Sequence, residues 1–183
     1  YEQRPIPFYL ILYFILFLFY VLSVKTVWDK SADRGSLWII LLFGLFFRFA
    51  IVPSQPIQED DVYRYLWDGK VFVHGINPFK FAPEEINKYK SLKIQDPVYF
   101  HSHYGENDQN ELAILNDLKW ENDIALRYME RINHPDVPTI YPPLAQYVFR
   151  FSQQINVDSL LTLRIIFLAF DLMGTVFIIL ALR

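Results

Sequence analysis

The stretch FYLILYFILFLFYVLSV, residues 8–24, contains no charged side chain and no polar face. At a rise of about 1.5 Å per residue, a helix of this length approaches the hydrocarbon thickness of a bilayer. A helix that is apolar all round needs lipid or protein on every side. The segment lacks the small-residue cleavage site of a signal peptide and is aromatic throughout, so it reads as a membrane span. Two more stretches are similar: residues 37–52 carry Arg48 as their one charge, and residues 160–182 carry Arg164 and Asp171. The expected fold class is an all-α integral membrane protein, with multi-pass helices and a large loop containing short interfacial helices.

Composition agrees with spans joined to a polar segment. Of the 183 residues, 53% are hydrophobic and 18% aromatic, yet 20% are charged. The net charge of −3 argues against nucleic acid as a partner, since phosphate neutralisation needs a basic surface. Without cysteine, disulfides, thiolate nucleophiles and thiolate metal sites are excluded. Tyr1 stands where an initiator methionine would, and the last apolar segment runs out at Arg183. Both ends read as truncated, so the expectation is a piece of a longer chain.

The short loop 25–35 holds Lys25, Lys30 and Arg34 against Asp29 and Asp33, and by the positive-inside tendency it faces the cytoplasm. Residues 1–52 are then two spans with a cytoplasmic loop, 53–159 an extracytoplasmic segment, and 160–183 a third span. Within the outer segment, residues 60–73 and 110–132 have helical character. Residues 75–83 and 134–143 are rich in turn formers, and a structured loop is expected over 96–110.

Chemistry concentrates where the second span ends, in PIQEDDVYRYLWDG, residues 56–69. Pro53 and Pro56 terminate the span, and Glu59, Asp60 and Asp61 follow. In a helix starting at Asp61, Val62, Leu66, Gly69 and Val73 make an apolar stripe. Asp61, Tyr65 and Asp68 share the neighbouring face. Two readings stand side by side. The acids cap and solvate an interfacial helix, or one of them is a general base or metal ligand, able to take the proton of a sugar hydroxyl. Arg48 and Arg164 each lie about one turn inside the outer boundary. They either snorkel or neutralise a lipid phosphate. Asp171 shares a face with Arg164 and reads as structural.

The runs EDDVYRYLWDGKVFVHGINPFKFAP (59–83) and NHPDVPTIYPPLAQYVF (133–149) together resemble the bacterial mannosyltransferase-like branch of the GT-C superfamily. Those are integral-membrane glycosyltransferases with polyprenyl-phosphate sugar donors. The resemblance covers most of the outer segment and fades over 99–115. It implies transfer of a hexose, mannose foremost, to the hydroxyl of a glycan or lipid-linked acceptor outside the cytoplasm, with inversion at the anomeric carbon, in a bacterial inner or plasma membrane. It places a catalytic base at Asp60 or Asp61. The family's Asp-x-Asp pattern is here Glu59-Asp60-Asp61, which leaves open both the choice of base and the binding of a divalent Mg or Mn ion by these three.

The resemblance also implies substrate-binding roles for Arg64, Trp67, Asp68, Asn77, His134, Tyr141 and Gln146. Trp67 and Tyr141 suit stacking on a sugar or anchoring among headgroups. His134, between Asn133 and Pro135, suits donation to a leaving phosphate or closure of a loop hydrogen bond. Pro142 and Pro143 stop any helix before Leu144 and shape the site. Two rival readings are a transporter, whose Arg48, Arg164 and Asp171 line a pathway, and a non-catalytic scaffold.

Overall fold

A computed structural model of the chain describes residues 5–28, 34–54 and 60–181. Among these residues every regular element is an α-helix: α1 Ile6–Trp28, α2 Arg34–Ile51, α3 Asp61–Val73, α4 Pro83–Gln95, α5 Pro97–His103, α6 Glu106–Lys119, α7 Asp123–Arg131, α8 Pro143–Ile155 and α9 Leu160–Ala181. The all-α expectation holds. Two helices, Ile6–Trp28 and Leu160–Ala181, are long and apolar enough to cross a membrane. The apolar part of α2 is shorter, Trp38–Ile51.

The chain divides into two compact units, Tyr1–Gln58 and Glu59–Arg183. The first contains α1, which has no buried residue, and α2. In α2 the Arg48 guanidinium turns back along the helix and donates to the Gly44 carbonyl at 3.1 Å. A Cβ on Gly44 would stand 3.2 Å from that guanidinium, so the bare glycine leaves room for the bond.

The second unit is built around α3, which is buried from Leu66 through Val71. One side meets a core containing Trp67, Val71, Ile86, Phe100, Leu112 and Leu115. The other meets Phe149 and Leu163 through Leu66. Helix α8 lies so close to α3 that a Cβ on Gly69 would come within 2.5 Å of the Phe149 carbonyl oxygen. Helix α9 belongs to this unit, with Leu163 in the shared core, so the third apolar stretch continues the fold that holds α3.

Three charged side chains on α3, Arg64, Asp68 and Lys70, are buried with their charges answered. Lys70, 2% exposed, pairs with Asp158 at 2.9 Å and Glu121 at 2.6 Å. Asn122 also donates to Asp158, and the Tyr128 hydroxyl donates to the Asp158 carbonyl. These bonds tie α3 to the α6–α7 junction and to the turn before α9. The other two, Arg64 and Asp68, belong to the site described below.

The expected helix over 110–132 is two helices, because Asn122 accepts from the backbone N–H of Ile124 and Ala125 and starts α7 afresh. The expected loop over 96–110 is largely helical. Asp96 accepts from Tyr99 N–H and opens α5, and α6 begins at Glu106. Pro143 does not end a helix; it is the first residue of α8, where a missing N–H costs nothing.

Candidate functional site

The start of α3 brings Asp60 against Arg131 at the end of α7, and Asp61 against the loop between α7 and α8. Asp60, just before the helix, makes no side-chain cap. Its carboxylate is buried and takes a hydrogen bond from Arg131 at 3.2 Å. The Arg131 guanidinium in turn lies 4.4 Å from the centre of the Tyr63 ring. Asp61 is half-buried, and its Oδ1 accepts from Asn133 Nδ2 at 3.4 Å. Tyr141 also hydrogen-bonds Asp61 and Tyr65. Burial first, then interaction with Tyr65 and Asp61, push the Tyr141 phenol well above its ordinary value, so it stays protonated.

Aromatic packing fixes this edge. Tyr65 stacks on Phe149 at 4.7 Å, meets Tyr141 edge-on at 4.8 Å, and meets Phe167 of α9 edge-on at 6.5 Å. The edge is thus a pair of carboxylates, one paired with an arginine and one facing two neutral partners, above a wall of rings.

Beneath the loop lies a buried polar network. Arg64 Nε donates to Asp68 Oδ1 at 2.9 Å, and its Nη2 donates to the Val137 carbonyl at 3.0 Å. Gln146 Nε2 donates to Asp68 Oδ2 at 3.1 Å and to Thr139 Oγ1 at 2.9 Å. Burial raises the Asp68 pKa, opposed by Arg64, Thr139 and Gln146. Arg64, Asp68 and Gln146, expected to bind substrate, are turned on one another and clamp the loop through Val137 and Thr139. The predicted common face of Asp61, Tyr65 and Asp68 is real: all three meet residues of 133–146.

The remaining expected residues are spread more widely. Trp67 is buried in the core, where it lines, with Arg64, Asp68 and Asn77, a pocket of about 10 Å³, too small for a sugar ring. Asn77 is exposed, and its Oδ1 accepts from Phe79 N–H in a local turn. Asn77 and Gln146 both border a cavity of about 240 Å³ that Phe72, Phe79 and Tyr147 also line. His134 is exposed with a left-handed backbone, φ 51°. Its carbonyl, not its ring, closes the loop bond, to Val137 N–H. Arg164 lies on α9 between Leu163 and Phe167, which both pack toward α3. Arg48 belongs to the other unit. Glu59 and Pro56 lie outside the described residues. Among the described residues no group of three or more His, Asp or Glu side chains is arranged to hold a metal ion.

Arg131 is the residue that sequence reasoning did not single out. Its pairing with Asp60 spans 71 positions, and nothing local marks it. Comparison of the chain with protein-family models, with curated proteins and with solved structures gives no match.

Proposed function

We propose that the chain is a multi-pass membrane glycosyltransferase that moves a hexose from a polyprenyl-phosphate donor to an acceptor hydroxyl on the extracytoplasmic side, with Asp61 as general base. The observation that carries this reading is the carboxylate pair at the start of α3, in which the two acids have different surroundings. Asp60 is buried and engaged by Arg131, whereas Asp61 is half-buried and among the described residues meets only neutral partners, Asn133 and Tyr141. A base must reach solvent or substrate and have a free lone pair, which favours Asp61. Asp60 and Arg131 act as its positioning partners.

In the proposed step Asp61 takes the proton of the acceptor hydroxyl, and that oxygen forms a bond to the anomeric carbon. The bond from that carbon to the phosphate oxygen breaks, and its electron pair leaves with the polyprenyl phosphate. Positive charge fixed near the departing phosphate lowers the barrier. Arg164 is the candidate for that charge because it shares the compact unit of Asp61 and lies between two residues that pack toward α3.

The test compares Asp61→Asn and Asp60→Asn for hexose transfer in membranes at matched expression. Removing a general base typically costs about 10²–10⁴-fold in rate. Asp61→Asn is expected to lose transfer in that range with donor binding retained, and Asp60→Asn to lose less. Equal activity of both variants and the wild type would remove the assignment.

A further inference from the structure

A cleft of about 560 Å³ opens on the far part of the same loop, lined by α4, α5 and residues 136–138. Its wall combines flat rings with carboxylates. Tyr99 and His103 stack on each other at 5.0 Å and 13° and both are exposed, with Tyr104 set perpendicular to His103 at 4.8 Å. Of the acids, Glu84 is paired with Lys88. Glu85 is consumed by the Tyr104 hydroxyl and Ala82 N–H. Asp96 receives Tyr99 N–H. Asp136 is exposed and holds no hydrogen bond or ion pair among the described residues.

We infer that this cleft binds a neutral sugar unit of the acceptor glycan, with the Tyr99–His103 pair against the sugar face and Asp136 accepting from its hydroxyls. The inference rests on the glycosyltransferase reading for the word acceptor. The lining speaks for that half of the reaction: four carboxylates against one lysine repel a phosphate-bearing donor. Three of the four carboxylates are already engaged, which leaves little to hold a polycation. A free carboxylate beside an exposed ring pair suits a polyol, whose C–H face stacks while its hydroxyls donate.

Position links the cleft to the carboxylate edge. The loop presents Asn133 and Tyr141 to Asp61, and Asp136 and Pro138 to the cleft. At no more than about 3.6 Å of chain per residue, Asn133 and Asp136 lie within about 11 Å of each other. Arg64, bonded to the Val137 carbonyl, holds the loop between the two.

The experiment is saturation-transfer NMR on the full chain in nanodiscs. The probes are the methyl glycosides of mannose, glucose and galactose, with glucuronate and spermidine as charged controls. At least one methyl glycoside is expected to bind. Its affinity should fall at least tenfold in Tyr99→Ala and in Asp136→Asn and be retained in Tyr99→Phe. Binding of glucuronate or spermidine alone, binding of no probe, or glycoside binding indifferent to both Tyr99→Ala and Asp136→Asn would overturn the inference. Hexose transfer is read in the same variants. Cleft binding without any transfer by the wild type would sink the catalytic reading and leave a sugar-binding cleft. Transfer that survives loss of the cleft would sink the cleft alone.

Discussion

Lys70 is the residue on which the folded unit depends most visibly. An ammonium this deeply buried is stable only because Asp158 and Glu121 answer it. Lys70→Met removes the cation and leaves Asp158 buried without its partner, and is expected to cost about 3–5 kcal/mol. Thermal or denaturant unfolding followed by circular dichroism measures this. Glu121 supplies the pH dependence. Its hydrogen bond to Lys70 lowers its pKa below the ordinary 4.5, outweighing the opposing effect of burial. A depressed carboxylate stabilises the fold fully above its unfolded value and loses that contribution as pH falls through the folded one. The stability difference between wild type and Glu121→Gln should therefore be present at pH 7 and shrink as pH drops below about 4.5. With half the Glu121 side chain exposed, solvent screening keeps that difference small.

At the scale of elements, the α3–α8 contact decides whether the loop above it stays in place. Gly69 touches the Phe149 backbone, so Gly69→Ala must push the helices apart. Overpacking of this kind costs about 1–3 kcal/mol. Because Gln146 on α8 anchors the loop through Thr139, the same variant should lose transfer activity beyond its share of unfolded protein; activity per folded molecule is the measure. Helix α3 was legible in the sequence, since its acids, its small Gly69 and the Asp61–Tyr65–Asp68 spacing are all local signals. The burial of Arg64 and Lys70 was not, because both charges are answered from elsewhere in the chain: Arg64 also by the Val137 carbonyl 73 positions on, Lys70 by Asp158 88 positions on. The Asn122 break is a local signal, an Asn-Asp pair, inside a stretch, 110–132, that reads as helical throughout. The substrate-binding role that the resemblance implies for Trp67 meets a side chain whose position on α3 turns it into the core.

For the whole molecule, the apolar helices and the polar helical unit make different demands on their surroundings. Helix α1 exposes its aromatic and aliphatic side chains all round, and α9 most of its length, which in water would be costly at about 25 cal/mol per Å². The charged outer faces of α4 and α6 suit water. A chain with both requirements fits a membrane boundary, and the carboxylate pair belongs to the unit that carries α9. The composition made this division legible, whereas the pairing of Asp60 with Arg131 needed the fold.

The central claim joins membrane, side and base, and one measurement addresses all three: incorporation of labelled hexose from a polyprenyl-phosphate donor into an impermeant acceptor glycan by sealed right-side-out vesicles. Vesicles carrying the wild-type chain should label the acceptor, and those carrying Asp61→Asn at equal abundance should fall about 10²-fold or more below them. Equal labelling by the two, or no labelling by wild-type vesicles until the membrane is opened, would contradict the account.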